Sequence, residues 1–215
     1  MANVPESFRG YVKICGVTSV DDALMVAESG ASALGLIFAE SPRQLTLAQA
    51  KEIAHASEGG LLRCAVFRHD EDDFILERVD AVGAEIVQLH GALRGRLLSE
   101  LRTRPVRIVK ALNIEDSEFD DFDETTVDAV MIDGAQPGSG RLHSWDRLRT
   151  RSFRVPVIAA GGLSPENVAD IVLSTNVSGV DSASGVESSP GVKNPELVAR
   201  FVLNARRALS SVEAT

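Results

Sequence analysis

Lys13 and Cys15 stand two residues apart in the run "YVKIC", which ends at Gly16. In a β-strand, side chains alternate between faces, so the two would share one face. An ammonium beside a thiol lowers the thiol pKa and favours the thiolate, which can act as a base or a nucleophile. Cys15 also reads as a small buried hydrophobe. Gln88 and His90 recur in the same two-residue phase within "EIVQLH", and Asp133 closes "AVMID". "GVDSAS" offers Asp181 in one phase and Ser182 with Ser184 in the other, while "RIVKAL" carries Lys110. An isolated buried charge costs several kcal/mol even after relaxation. Two lysines and two aspartates in apolar runs are therefore expected to form a paired network at one end of a strand assembly.

Glycine-bearing turns follow several of these runs. "AAGGLSPENV" places Gly161 and Gly162 ahead of a helix start at Ser164-Pro165, and "DSASGVESSPGVKNP" places Ser184 and Gly185 after the last run. Glycines let backbone N–H groups approach an anion closely, and a helix N-terminus adds partial positive charge, so the pair of turns reads as a phosphate site. Asp133 is followed by "GAQPGSGR", a segment read either as a mobile active-site loop or as an ordinary turn. Arg43 in "AESPRQL" could grip a carboxylate with two parallel hydrogen bonds. His55, His69 and His143 are scattered, no Cys/His spacing fits a metal, and no metal is expected.

The elements that must position these residues alternate along the chain. Strand-length apolar runs cover 11–15, 33–38, 63–67, 85–90, 107–112, 129–133, 155–160 and 179–184. Several are apolar on both phases, as parallel strands covered by helices require. Helical patterns fill 20–29, 46–56, 70–82, 94–102, 165–174 and 195–209, with one short helix expected in each of 115–126 and 141–150. Eight strand–helix units predict a (β/α)₈ TIM barrel in the α/β class, a single compact domain over 1–215 with 1–9 and 210–215 peripheral or frayed. An open doubly wound sheet is the alternative, but "CGVTSV" lacks its glycine fingerprint. In a barrel, the chemistry gathers at the C-terminal strand ends, and the loops after strands 7 and 8 commonly hold phosphate.

Composition narrows the function classes. Hydrophobic residues make up 44% and charged residues 25% of 215, ordinary for a globular chain. A net charge of −9 disfavours nucleic acid and acidic membranes as partners. No apolar run approaches the ~20 residues of a membrane span, and "MANVPESFRG" lacks a signal core. Two cysteines in separate strand-like runs suggest no disulfide framework, so a cytoplasmic protein acting on a small molecule, monomeric or homodimeric, is expected.

The segments "KICGVTSVDDA", "GLIFAESPRQLT", "VQLHG", "IDG…GSG", "AGGLSPENV" and "DSASGVESSPGVK" resemble the phosphoribosylanthranilate isomerase family of tryptophan biosynthesis, in order and in strand position from about 13 to 193. The resemblance implies a barrel with neither metal nor organic cofactor. It implies the Amadori rearrangement of N-(5-phosphoribosyl)anthranilate, an aminoaldose phosphate, to 1-(2-carboxyphenylamino)-1-deoxyribulose 5-phosphate. It assigns Cys15 as general base, Asp133 as general acid and Arg43 as the contact for the anthranilate carboxylate. Gly140, Gly161, Gly162, Ser184 and Gly185 take the phosphate side, and Lys13, Gln88, His90 and Asp181 the remaining substrate contacts. That chemistry asks for a raised Asp133 pKa and a lowered Cys15 pKa, with Lys13 favouring the thiolate. The sequence departs from the family pattern at "GSGRLHSW", where Arg141, His143 and Ser144 differ, and at "VFRHD", which lacks a common asparagine. The competing readings are an aminoaldose isomerase of histidine biosynthesis, a Schiff-base lyase or aldolase using Lys110 or Lys13, and a non-catalytic phosphosugar-binding barrel. Cys15 argues against the first, because those barrels carry aspartate there.

Overall fold

Strand β1 (Tyr11–Cys15) pairs in parallel with β2 (Ala33–Ile37) on one side and with β8 (Gly179–Ser182) on the other. Between them run β3 (Leu62–Phe67), β4 (Ile86–Leu89), β5 (Arg107–Asn113), β6 (Ala129–Asp133) and β7 (Val157–Ala160), each bonded to its sequence neighbours. The sheet is therefore a closed barrel, and the open-sheet alternative falls. This is a computed structural model, and it describes residues 8–134 and 144–213. The helices are α1 (Val20–Glu28), α2 (Leu47–Ala56), α3 (Asp72–Val82), α4 (Gly95–Arg102), α5 (Glu118–Asp121), α6 (Ser144–Thr150), α7 (Val168–Thr175) and α8 (Pro195–Glu213). A two-stranded hairpin, β9 (Glu187–Ser189) with β10 (Val192–Lys193), follows β8.

Alternation along each strand builds two cores. Val12, Ile14, Leu34, Leu36, Val87 and Leu89 pack outward against the helices. Tyr11, Cys15, Cys64, Val66, Val109 and Met131 point into the barrel. The first layer is sealed from below by Phe8, 2% exposed, whose ring meets Tyr11 edge-on at 5.1 Å. Phe8 thus belongs to the core, although the sequence placed it in a peripheral end.

Local chemistry sets the helix ends. Ser19 accepts from Asp22 N at the start of α1, and Thr46 with Gln49 forms a capping box on α2. Asn194 Oδ1 accepts from Leu197 N in the first turn of α8. That helix continues four residues past the expected end at 209, because Val212 prolongs the apolar stripe of Ala205, Ala208 and Leu209. Strand β7 starts at Val157 rather than 155, since Pro156 has no N–H to donate to the ladder. Helix α7 starts at Val168, three residues after the predicted Pro165, and the intervening turn is closed by Val168 N donating to Ser164 O.

Two polar residues expected among the strand-end groups face away from the barrel interior. Lys110 shares the outward phase of Ile108 and Leu112, and its ammonium is held by Ala111 O at 3.0 Å and Glu118 Oε2 at 3.1 Å. Ser182 shares the phase of Val180 and donates to Leu163 O at 2.7 Å.

Candidate active site

A cavity of about 260 Å³ opens at the C-terminal ends of the barrel strands. Its floor and walls include Cys15 from β1, Val66 from β3, Gln88 from β4 and Met131 with Asp133 from β6. His90, just past β4, and Asp181 on β8 also face it. Its lining also includes Gly161, Gly162, Ser184 and Gly185 from the loops after β7 and β8, and Arg43 and Arg68 from the loops after β2 and β3. Of the residues named from sequence, Lys13 lies beneath the cavity rather than on its wall, and Gly140 lies outside the described residues.

Lys13 and Asp181 are direct register partners on the closing pair β1 and β8, so the barrel seam brings them together. Lys13 Nζ donates to Asp181 Oδ1 at 2.9 Å, with the lysine side chain fully buried. Burial is the largest single influence on the Lys13 pKa and pulls it down, but the Asp181 carboxylate, with Cys15 and Cys64, outweighs it and leaves the pKa raised. The ammonium stays charged, and Lys13 is the buried half of an ion pair.

Cys15 is 5% exposed. Its pKa is raised, against the sequence expectation of a lowered one. Burial is the largest influence and pushes the thiol up; Lys13 pulls it down, Asp181 pushes it up again, and Lys193 adds a further pull down. The cations do act in the expected direction, but desolvation of the sulfur wins. Room for this pair comes from Gly35 on β2. A Cβ there would lie 2.6 Å from Cys15 Sγ and 3.1 Å from Lys13 Cε.

The Asp133 pKa is shifted in the expected direction. It is raised, first by burial and then by the Asp181 charge, with Arg68 opposing. Gly161, at φ +83°, passes so close that any Cβ would overlap the Asp133 carboxylate. The backbone of Gly185 presses against Leu163 in the same way, so the loops after β7 and β8 meet main chain to main chain.

Gln88 and His90 form a fixed pair. Cys64 Sγ lies 3.8 Å from Gln88 Oε1, and Gln88 Nε2 lies 2.8 Å from His90 Nε2. Burial, reinforced by the charges of Lys13 and Arg68, lowers the His90 pKa to about 4. A neutral imidazole can accept from the Gln88 amide, which sets the orientation of both side chains.

Sequence reasoning passed over Arg68, Glu187 and Lys193. Arg68 was legible as the inward phase of β3 continued one step past Val66 and Phe67. Glu187 and Lys193 fall within "DSASGVESSPGVK", but Arg43, which bonds to Glu187, is 144 residues away from it.

A closed eight-stranded barrel that gathers a buried thiol, a carboxyl of raised pKa and two glycine loops at the C-terminal ends of its strands has the layout of a (β/α)₈ enzyme. A model of the N-(5'phosphoribosyl)anthranilate (PRA) isomerase family matches residues 12–204. An N-(5'-phosphoribosyl)anthranilate isomerase of Geotalea daltonii is 39% identical over 207 residues, covering 94% of this chain and 99% of that protein. One from Rubrobacter xylanophilus is 36% identical, covering 91% and 98%. The crystal structure of phosphoribosyl anthranilate isomerase from Thermotoga maritima superposes with a TM-score of 0.80 at 30% identity, over 92% of this chain and 98% of that one. A complex of such an isomerase with reduced 1-(o-carboxyphenylamino)-1-deoxyribulose 5-phosphate superposes with a TM-score of 0.74 at 30% identity, covering 92% and 98%. The chain belongs to the N-(5'-phosphoribosyl)anthranilate isomerase family.

Proposed function

We propose that the protein catalyses the Amadori rearrangement of N-(5-phosphoribosyl)anthranilate in tryptophan biosynthesis, with Asp133 as general acid and Cys15 as general base. One observation carries this assignment. Two titratable groups, from β1 and β6, line a single cavity together with the glycine loops after β7 and β8 and the Arg43 guanidinium. The substrate offers the matching groups: a phosphate, a pentose and an aromatic carboxylate.

The phosphate is held by main-chain N–H groups at Gly161, Gly162, Ser184 and Gly185, where the absence of side chains on the glycines permits close approach. The carboxylate is held by Arg43. With both ends anchored, the sugar lies over the acid and the base, and orientation replaces a bimolecular encounter. Asp133, whose pKa burial and the Asp181 charge raise, delivers its proton to the furanose oxygen as the C1–O bond breaks. The nitrogen lone pair forms an iminium. That cation acidifies C2–H and, in a poorly solvated cavity, also favours a thiolate beside it. Cys15 as thiolate takes the C2 proton and leaves an enolamine. The ketose forms when C1 gains a proton and the C2 hydroxyl loses one, which returns acid and base to their starting states. Lys13 and Asp181 support the pair from below, and Gln88 and His90 contribute neutral polar contacts to the sugar.

A turnover assay on freshly generated phosphoribosylanthranilate, following loss of its fluorescence, tests the reading. Saturable turnover supports it, and no turnover by folded protein overturns it. Among the described residues, no helix is long and apolar enough to cross a membrane. A Thermotoga maritima relative of known structure is described as dimeric. The proposed working form here is a cytoplasmic monomer or homodimer.

A further inference from the structure

Arg43 lines the cavity with part of its hydrogen-bonding capacity already engaged. Its Nε donates to Glu187 Oε1 at 2.7 Å, and one Nη2 proton goes to Glu187 Oε2 at 2.6 Å. Glu187 Oε1 also accepts from Lys193 Nζ at 2.8 Å, and Lys193 donates to Ala183 O at 3.1 Å. The Glu187 and Lys193 side chains are 4% and 0% exposed. Burial opposes the Glu187 charge, but the bonds from Arg43 and Lys193 outweigh it and keep its pKa lowered.

A guanidinium has two edges that can each present two parallel N–H bonds. Glu187 takes the Nε/Nη2 edge, so the Nη1/Nη2 edge is left for a second carboxylate. The stem of Arg43 is confined as well. Gly16, at φ +70°, lets it pass so closely that a Cβ there would overlap Arg43 Cδ. The hairpin that carries Glu187 is tied down by Thr18 Oγ1, which donates to Gly191 O at 2.5 Å. Arg43, Glu187 and Lys193 together carry one net positive charge, which a bound carboxylate would balance.

We infer that Glu187 is a positioning residue, braced by Lys193, that grips one edge of Arg43 and presents the other edge to the ligand's carboxylate. This rests on the Arg43 role proposed above. In this arrangement the two carboxylates use different edges, so Glu187 and the ligand do not compete for Arg43.

Two ligands test it by calorimetry: reduced 1-(o-carboxyphenylamino)-1-deoxyribulose 5-phosphate and its counterpart with an unsubstituted phenyl ring. Glu187→Gln should weaken binding of the first about tenfold and leave the second within about twofold, since only the first engages the aimed edge. Lys193→Met should give a smaller loss with the same selectivity. In an Arg43→Ala background, Glu187→Gln should add nothing. Equal losses for both ligands, additive losses in the double variant, or tighter binding by Glu187→Gln each overturn the proposal. A ligand-independent measurement separates it from the functional reading. By ¹⁵N NMR, the Arg43 Nε–H should be protected from exchange in the parent protein and exposed in Glu187→Gln. Parent protein that binds neither compound refutes the functional reading. An unprotected Arg43 Nε–H in the parent refutes the positioning role whether or not the ligands bind.

Discussion

Replacing Gly35 by alanine adds one methyl group to β2 and deletes no functional atom. The new Cβ would lie 2.6 Å from Cys15 Sγ, 3.0 Å from Cys15 Cα and 3.1 Å from Lys13 Cε. Ordinary contacts between non-bonded heavy atoms fall at ~3.5–4.0 Å, so the sulfur has to move by about 1 Å. Cys15 and Gly35 are register partners in adjacent parallel strands, so separating the backbones would loosen the β1–β2 ladder. Overpacking of this kind costs ~1–3 kcal/mol. At ~2–4 °C per kcal/mol for a domain of this size, Tm should fall by roughly 2–12 °C. The loss of turnover should be larger in proportion, because a displacement of ~1 Å at a reacting group can cost ~10²-fold. Differential scanning calorimetry and kcat on phosphoribosylanthranilate read the two effects separately. Gly60→Ala is the control, since its Cβ would meet only Ala27 Cβ at 3.8 Å and Ser57 O at 3.9 Å. A cooperatively folded Gly35→Ala protein whose kcat stays within about threefold of the parent would refute the claim that the Cys15 sulfur must sit where β1 places it.

Cys15→Ala and Asp133→Ala should each remove most turnover, ~10²–10⁴-fold per proton transfer, while binding of the product analogue by calorimetry survives. Arg43→Ala should chiefly raise KM; an unchanged KM counts against the carboxylate contact. The pH profile of kcat/KM should be a bell with its limbs assigned in reverse of the usual order. The working form is Asp133 protonated with Cys15 ionised, and burial raises the pKa of both the thiol and the carboxyl, so the alkaline limb belongs to Cys15. An alkaline limb below neutrality contradicts that assignment. Asp133→Asn should raise Tm at pH 7. The folded-state pKa is raised above the unfolded value, so stability is lost as pH climbs through that window, and the amide escapes the loss. The gain should vanish below about pH 3.9, where the carboxyl is neutral in both states.

Period-two alternation made the barrel and much of its site readable. "YVKIC", "EIVQLH" and "AVMID" each fixed a phase, and Lys13, Gln88 and Asp133 followed from it. The phase of Lys110 was equally available, since Ile108 and Leu112 flank it as large apolar neighbours two residues away. What the pattern does not show is that Ala111 O and Glu118 satisfy an ammonium in the outward phase, since the latter contact depends on the segment after β5. The direction of the Cys15 pKa was not readable, because it is a contest between nearby cations and desolvation, and desolvation depends on packing from other strands. Arg43, Glu187 and Lys193 are local in space and remote in sequence. No spacing rule links a loop after β2 to a hairpin after β8.

The seam that joins β1 to β8 gives the barrel a dependence on its own last quarter. Lys13 meets its counter-ion across a separation of 168 residues. Until β8 is made and in place, a chain that has collapsed around β1 holds an ammonium in an oily interior with nothing to neutralise it. Half-built barrels are penalised by that uncompensated charge, and a nascent or C-terminally truncated chain has reason to stay open rather than settle into a compact wrong shape.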